Sequence, residues 1–151
     1  MLFRSINRID HAQSGAVLAF QLLTKMGMDS DEVSAIVGAI GNHDERTGLP
    51  VSPISSALII ADKSDVRRSR VRNKDISTFD IHDRVNYSVK SSSLNVLPEK
   101  QIIQLDIKID TDICSVLDYF EIFLNRMLMC KRAAEFLNVN FEMIANDYKL
   151  F

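Results

Sequence analysis

The sequence predicts a mainly α-helical chain that carries a small C-terminal α+β appendage in the order β-β-α-β. Three observations predict it. Between residues 10 and 89, apolar side chains recur every three or four positions and are punctuated by helix-start and helix-stop residues. After about residue 90 the period falls to two: Ile103, Leu105, Ile107 and Ile109 alternate with Gln104, Asp106, Lys108 and Asp110. From Cys114 to Leu137 the helical period returns as one long amphipathic stretch. The chain thus divides into a helical part, residues 1–90, and the appendage, residues 91–151.

The first helix reads from about Asp10 to Met26. Val17, Leu18, Leu22 and Met26 recur at helical spacing, and Ala12 and Ala16 leave room for close approach. Gly27 supplies a stop. Asp29 and Glu32 then stand at capping-box spacing, opening a helix to about Gly41 with Val33, Ile36, Val37 and Ile40 inward. A polar loop runs from Asn42 to Ser52. Ser52-Pro53 opens the third helix, with proline at its first position and Ile54, Ala57, Leu58 and Ala61 on the buried face. A charged stretch, Asp62 to Asn73, follows. Asp80 caps a shorter helix to Val89, with Asp83 in its first turn. Strands at Ser93–Leu97 and Gln101–Asp110 flank the turn Pro98-Glu99-Lys100, the second antiparallel and half-buried. In the long helix, Tyr119, Phe120, Phe123, Leu124, Met127, Leu128 and Met129 form a stripe that reads first as core and second as a dimer face. Asn140–Ala145 and Tyr148–Phe151 read as a closing hairpin around Asn146-Asp147.

Composition narrows the function classes. With 46% hydrophobic and 25% charged residues and only 5 Gly and 3 Pro, the chain is neither disordered nor of low complexity. A net charge of −2 gives no overall pull toward nucleic acid or membrane, so any basic patch must be local. No stretch approaches the roughly 18–20 apolar residues of a membrane span. Met1 to Ser5 is too short to be a secretory signal. Cys114 and Cys130, 16 positions apart in one helix, are separated by about 24 Å of rise and cannot pair. They read as reduced core thiols of a cytoplasmic protein.

The residues with chemical potential cluster early. His43 sits where a helix meets a loop, in Gly41-Asn42-His43-Asp44-Glu45, and imidazole with carboxylate suits a borderline divalent metal. His11 begins the first helix. Asp62 follows Ile59, Ile60 and Ala61, where a carboxylate is costly unless a metal, an Arg or a Lys partners it. Each has a plainer reading: a histidine at a helix end as a cap or surface group, and Asp62 paired with Lys63, Arg67 or Arg68. The stretch Lys63 to Lys74, with Arg67, Arg68, Arg70 and Arg72, reads either as a solvated face bridged to Asp65 and Asp75 or as a phosphate clamp. Nucleic-acid binding is disfavoured because no aromatic residues are interleaved with the charges. His82-Asp83 reads as an ordinary first-turn helix pair.

Three ordered motifs carry a resemblance. His11-Ala12-Gln13-Ser14-Gly15-Ala16 is similar to the His-x-x-x-Gly helix start of HD-domain metal-dependent phosphohydrolases, including the HD-GYP branch. Asn42-His43-Asp44-Glu45-Arg46-Thr47-Gly48-Leu49-Pro50 resembles the His-His-Glu…Gly-Tyr-Pro stretch of that branch, and Ala61-Asp62-Lys63-Ser64-Asp65 resembles its Ala-Asp-x-x-Asp segment. The resemblance covers residues 7–72, and Phe79 to Phe151 looks like the appendage of one bacterial subgroup. It implies an HD-like helical core, with His11, His43 and Asp62 as metal ligands. Lys63, Arg67, Arg68 and Arg70 stand as residues for phosphate or substrate. A divalent ion of the Mn, Fe, Mg or Zn class would activate water for attack on a nucleotide or related phosphoester.

The chain departs from the pattern in three places. The family's His-Asp dyad lies upstream of the residue matching His11, and no histidine precedes His11 here. Asn42 stands where the first of two adjacent histidines is expected, and Leu49 replaces the tyrosine, so cyclic-di-GMP hydrolysis is not expected. The expectation is therefore an N-terminally truncated, incomplete HD core that holds metal weakly, is impaired as an enzyme and exposes apolar surface, with homodimerisation as a rescue. The alternative is a non-catalytic remnant that binds a ligand or partner.

Overall fold

The computed structural model describes residues 10–150. Met1 to Ser5, considered above as a signal, the first residues of the resemblance and Phe151 lie outside that range. The architecture is α+β: helices α1 (His11–Lys25), α2 (Ser30–Gly41), α3 (Pro53–Ser64), α4 (Ile81–Ser88) and α5 (Val116–Phe136), with strands β1 (Val89–Leu97), β2 (Ile102–Ile109), β3 (Asn140–Ala145) and β4 (Tyr148–Lys149).

Helix ends follow local chemistry. α1 stops in a Schellman arrangement at Gly27, whose φ of 77° suits glycine: Gly27 N–H donates to Thr24 and Met28 N–H to Leu23. Asn138, at φ 56°, closes α5 in the same way, with Val139 N–H donating to Ala134. Asp29, Ser52 and Asp80 cap α2, α3 and α4 through Asp31, Ser55 and Asp83 N–H. α5 starts at Val116 rather than Cys114 because Ser115 and Asp118 form a reciprocal capping box.

The sheet is mixed, in the order β1-β2-β3-β4. β2 runs antiparallel to β1 and parallel to β3, so β2-α5-β3 is a crossover unit. β3 and β4 close as a hairpin on Asn146 and Asp147, both at positive φ. Alternate residues of β2 are buried, as its pattern requires. β1 begins four residues earlier than its apolar pattern suggests, since Val89 and Ser91 already pair with Ile109 and Lys108 across a bulge.

One hydrophobic core joins Ile59 and Ile60 of α3 to Leu105, Ile107, Tyr119, Phe123, Met127 and Met143 of the sheet and α5. The long-helix stripe divides: Tyr119, Phe123, Met127 and Met129 are buried, while Leu124 and Leu128 face solvent. Cys114 and Cys130 are free and buried, and burial pushes the Cys130 thiol up to about 12.

Two helix faces differ from the sequence expectation. In α1 the alanines are the inner face: Ala12 and Ala16 are buried, while Val17, Leu18, Leu22 and Met26 are exposed. Apolar periodicity marks a stripe, and here two stripes compete; the smaller side chains win the helix contact because they let α2 approach. In α3 the inner face is rotated to Ser55, Ser56, Ile59, Ile60 and Lys63, leaving Ile54, Ala57 and Ala61 exposed. The serines are cheap to bury because their hydroxyls donate to the Leu49 and Ser52 carbonyls. No helix among the described residues is long and apolar enough to cross a membrane.

Candidate metal centre

The close α1–α2 packing delivers His11 to His43. The two Nε2 atoms are 3.1 Å apart, and the rings meet edge to face at a centroid distance of 4.9 Å. His43 follows the C-terminus of α2. Its Nδ1 lies 2.6 Å from the Ile40 carbonyl oxygen, which only accepts, so Nδ1 carries the hydrogen and Nε2 presents a lone pair toward His11. His11 Nδ1 stands 4.0 Å from Asp44.

The loop that holds His43 is fixed from several sides. Asn42 turns back and donates to the Gly38 carbonyl, so it caps α2 instead of facing His11. Gln13 of α1 donates to the Gly41 carbonyl, and Gly48 N–H donates to Asp44 O. Gly48 has no room for a side chain: a Cβ would collide with the carbonyl oxygens of Asn42 and Asp44.

Asp62 and Lys63 sit on the last turn of α3. Lys63 is buried, and its Nζ lies 2.7 Å from Asp62 Oδ2 and 3.8 Å from Glu45 Oε1. Arg126 of α5, stacked on Phe123, donates to the same Glu45 oxygen at 2.6 Å. Burial pushes the Asp62 carboxyl up. The Lys63 hydrogen bond and the charges of Lys63 and Arg126 more than reverse this and hold it below the usual carboxylate value.

Two neighbouring ligands of one ion, each bonded at about 2.0–2.1 Å, lie roughly 2.9–3.4 Å apart. The His11–His43 separation fits that spacing. Among the described residues, no three or more His, Cys, Asp or Glu side chains are grouped so as to hold a metal ion. The structure brings His11 and His43 together and places Asp62 on an ammonium.

The residues expected at phosphate make contacts within the protein. Lys63 is held by Asp62 and Glu45. Arg67 and Arg70 both pair with Asp65 at 2.9 Å, and Arg70 also donates to the Asp65 carbonyl. Arg68 donates to the Tyr87 carbonyl and lies over the Tyr87 ring. Asp75 accepts from Ser77 rather than from an arginine. His82 and Asp83 occupy the first turn of α4.

Sequence reasoning missed Glu45 and Arg126 as site residues. They are 81 positions apart, a pairing no local pattern encodes. One signal was available: Arg126 interrupts the inward stripe between Phe123 and Met127, where a charge is costly without a partner. No family model matches this chain, and no curated protein or solved structure matches it either.

Proposed function

We propose that the chain is an HD-type, metal-dependent phosphohydrolase domain, with His11 and His43 as its divalent-ion ligands and a nucleotide or related phosphoester as substrate. The observation that carries this reading is the 3.1 Å approach of the two Nε2 atoms, with His43 oriented by the Ile40 carbonyl. The three ordered motifs around His11, His43 and Asp62 support it. A bound ion of the Mn, Fe, Mg or Zn class would supply activated water and charge neutralisation at the phosphoryl group. The protein's part is to aim the two rings, with the His43 Nδ1 hydrogen on the Ile40 carbonyl and Nε2 directed at the ion. Two nitrogen ligands make a weak site, so the ion is loosely held and hydrolysis through these two residues is slow.

Manganese titration of the chain and of His43→Ala, followed by calorimetry, tests the reading. The expected result is one weakly bound ion, lost in the variant, with slow hydrolysis of bis-p-nitrophenyl phosphate. Identical binding by the two proteins sinks it. A second reading, a non-catalytic domain that binds a ligand or partner, is favoured by the Lys63 ammonium seated on Asp62 where a metal is expected. It predicts neither hydrolysis nor dependence of folding on metal.

A further inference from the structure

We infer that Lys63 is a resident cation in the acidic half of this centre, and that removing its charge turns Asp62 and Glu45 into a divalent-metal site. The proposal deepens the HD reading above and rests on it only for the identity of the neighbouring histidine pair.

Three observations carry it. The Lys63 side chain is 4% exposed, yet it ends in a charged group, so its burial depends on the carboxylates it touches. Those carboxylates come from two separate segments: Asp62 from α3 at 2.7 Å and Glu45 from the His43 loop at 3.8 Å. Arg126, from α5, holds the same Glu45 oxygen. Two carboxylates, one ammonium and one guanidinium sum to zero charge. A divalent ion approaching this cluster therefore meets no net attraction and must displace a buried ammonium. With Lys63 neutral the same cluster carries an excess negative charge, and its two carboxylates are left without their shared partner. Oxygen ligands of that kind suit Mn and Mg. Lys63 thus restricts metal to the histidine pair and ties α3 to the His43 loop whether or not metal is present.

The test compares the full chain with Lys63→Met, which keeps the length and apolar stem and removes the charge. Manganese binding is followed by calorimetry and by the electron paramagnetic resonance signal of the free ion. Lys63→Met is expected to bind Mn at least about tenfold more tightly than the parent, with an added equivalent, since one buried charge is removed. The gain should vanish in Asp62→Asn/Lys63→Met. A folded Lys63→Met with unchanged Mn binding overturns the proposal, as does a gain that survives the Asp62 substitution. Should Lys63→Met fail to fold, Asp62→Asn in the presence of EDTA decides. Loss of the closest partner of Lys63 is expected to lower Tm without metal, and an unchanged or raised Tm overturns the resident-cation role. His43→Ala separates the two ideas. Unaltered Mn binding there counts against the histidine pair, while the Lys63→Met gain through Asp62 and Glu45 can still be measured.

Discussion

In the sheet half of the molecule, Leu105, Ile107, Met127 and Met143 are sealed from solvent. In the α1–α2 hairpin the sealed positions are Ala12, Ala16, Ala39 and Val33, and Val17, Phe20, Leu22 and Met26 point outward. Burial contributes about 25 cal/mol per Å² of apolar surface, so the hairpin's small side chains give it far less stabilisation than the sheet core receives. What the alanines provide instead is proximity. They let α1 approach α2 closely enough for His11 to reach His43. The region with the deep core holds the fold, and the region with the shallow core positions the candidate chemistry.

The largest expected effect that bears on this contrast is in the sheet. Leu105→Ala removes a fully buried side chain from the central strand and should cost about 2–5 kcal/mol in a urea titration. A loss below about 1 kcal/mol would erase the difference between the halves. Gly48→Ala comes next. Its new methyl collides with backbone oxygens, so the His43 loop must shift, at a cost of about 1–3 kcal/mol by overpacking. Mn affinity should fall with it, and an unchanged Mn titration would show that the loop does not set His43. The smallest effect belongs to α1. Val17→Gln on the exposed stripe, where Val17 is 59% exposed, should change stability by no more than about 0.5 kcal/mol. A larger loss by thermal melting, growing with protein concentration, would show that a second copy covers the stripe.

Much of this fold is legible in the sequence, and the reasons differ by element. β2 is legible because a half-buried strand leaves its alternation in the residues themselves. The hairpin at Asn146-Asp147 is legible because few residues accept two successive positive φ values. α1 and α3 are legible as helices but not in their orientation, because helix pairing selected small or hydrogen-bonded side chains over the larger apolar ones. The start of β1 is hidden, since Lys90, Ser91 and Ser92 carry no apolar signal and the strand is specified by β2 beside it. At the candidate site, His11 and His43 follow from residue type and helix-end position. The ionic cluster does not, because Glu45, Lys63 and Arg126 meet only through tertiary packing of α3, α5 and the loop. The sequence leaves a metal, an Arg or a Lys open as the partner of Asp62, and in the structure the Lys63 ammonium lies against it.

The parallel pairing of β2 with β3 has a consequence for the order in which the molecule can be assembled. During synthesis β1 and β2 emerge together and can zip as neighbours, separated by one tight turn. The partner on the other edge of β2 is still unmade: Ile107 waits for Ala145, and all of α5 lies between them in the chain. Loop closure over that separation makes the pairing slow relative to the local hairpin. Through that interval the apolar edge of β2 is open to any extended segment nearby, so the growing chain passes through a stage at which its most regular strand is also its most adhesive one.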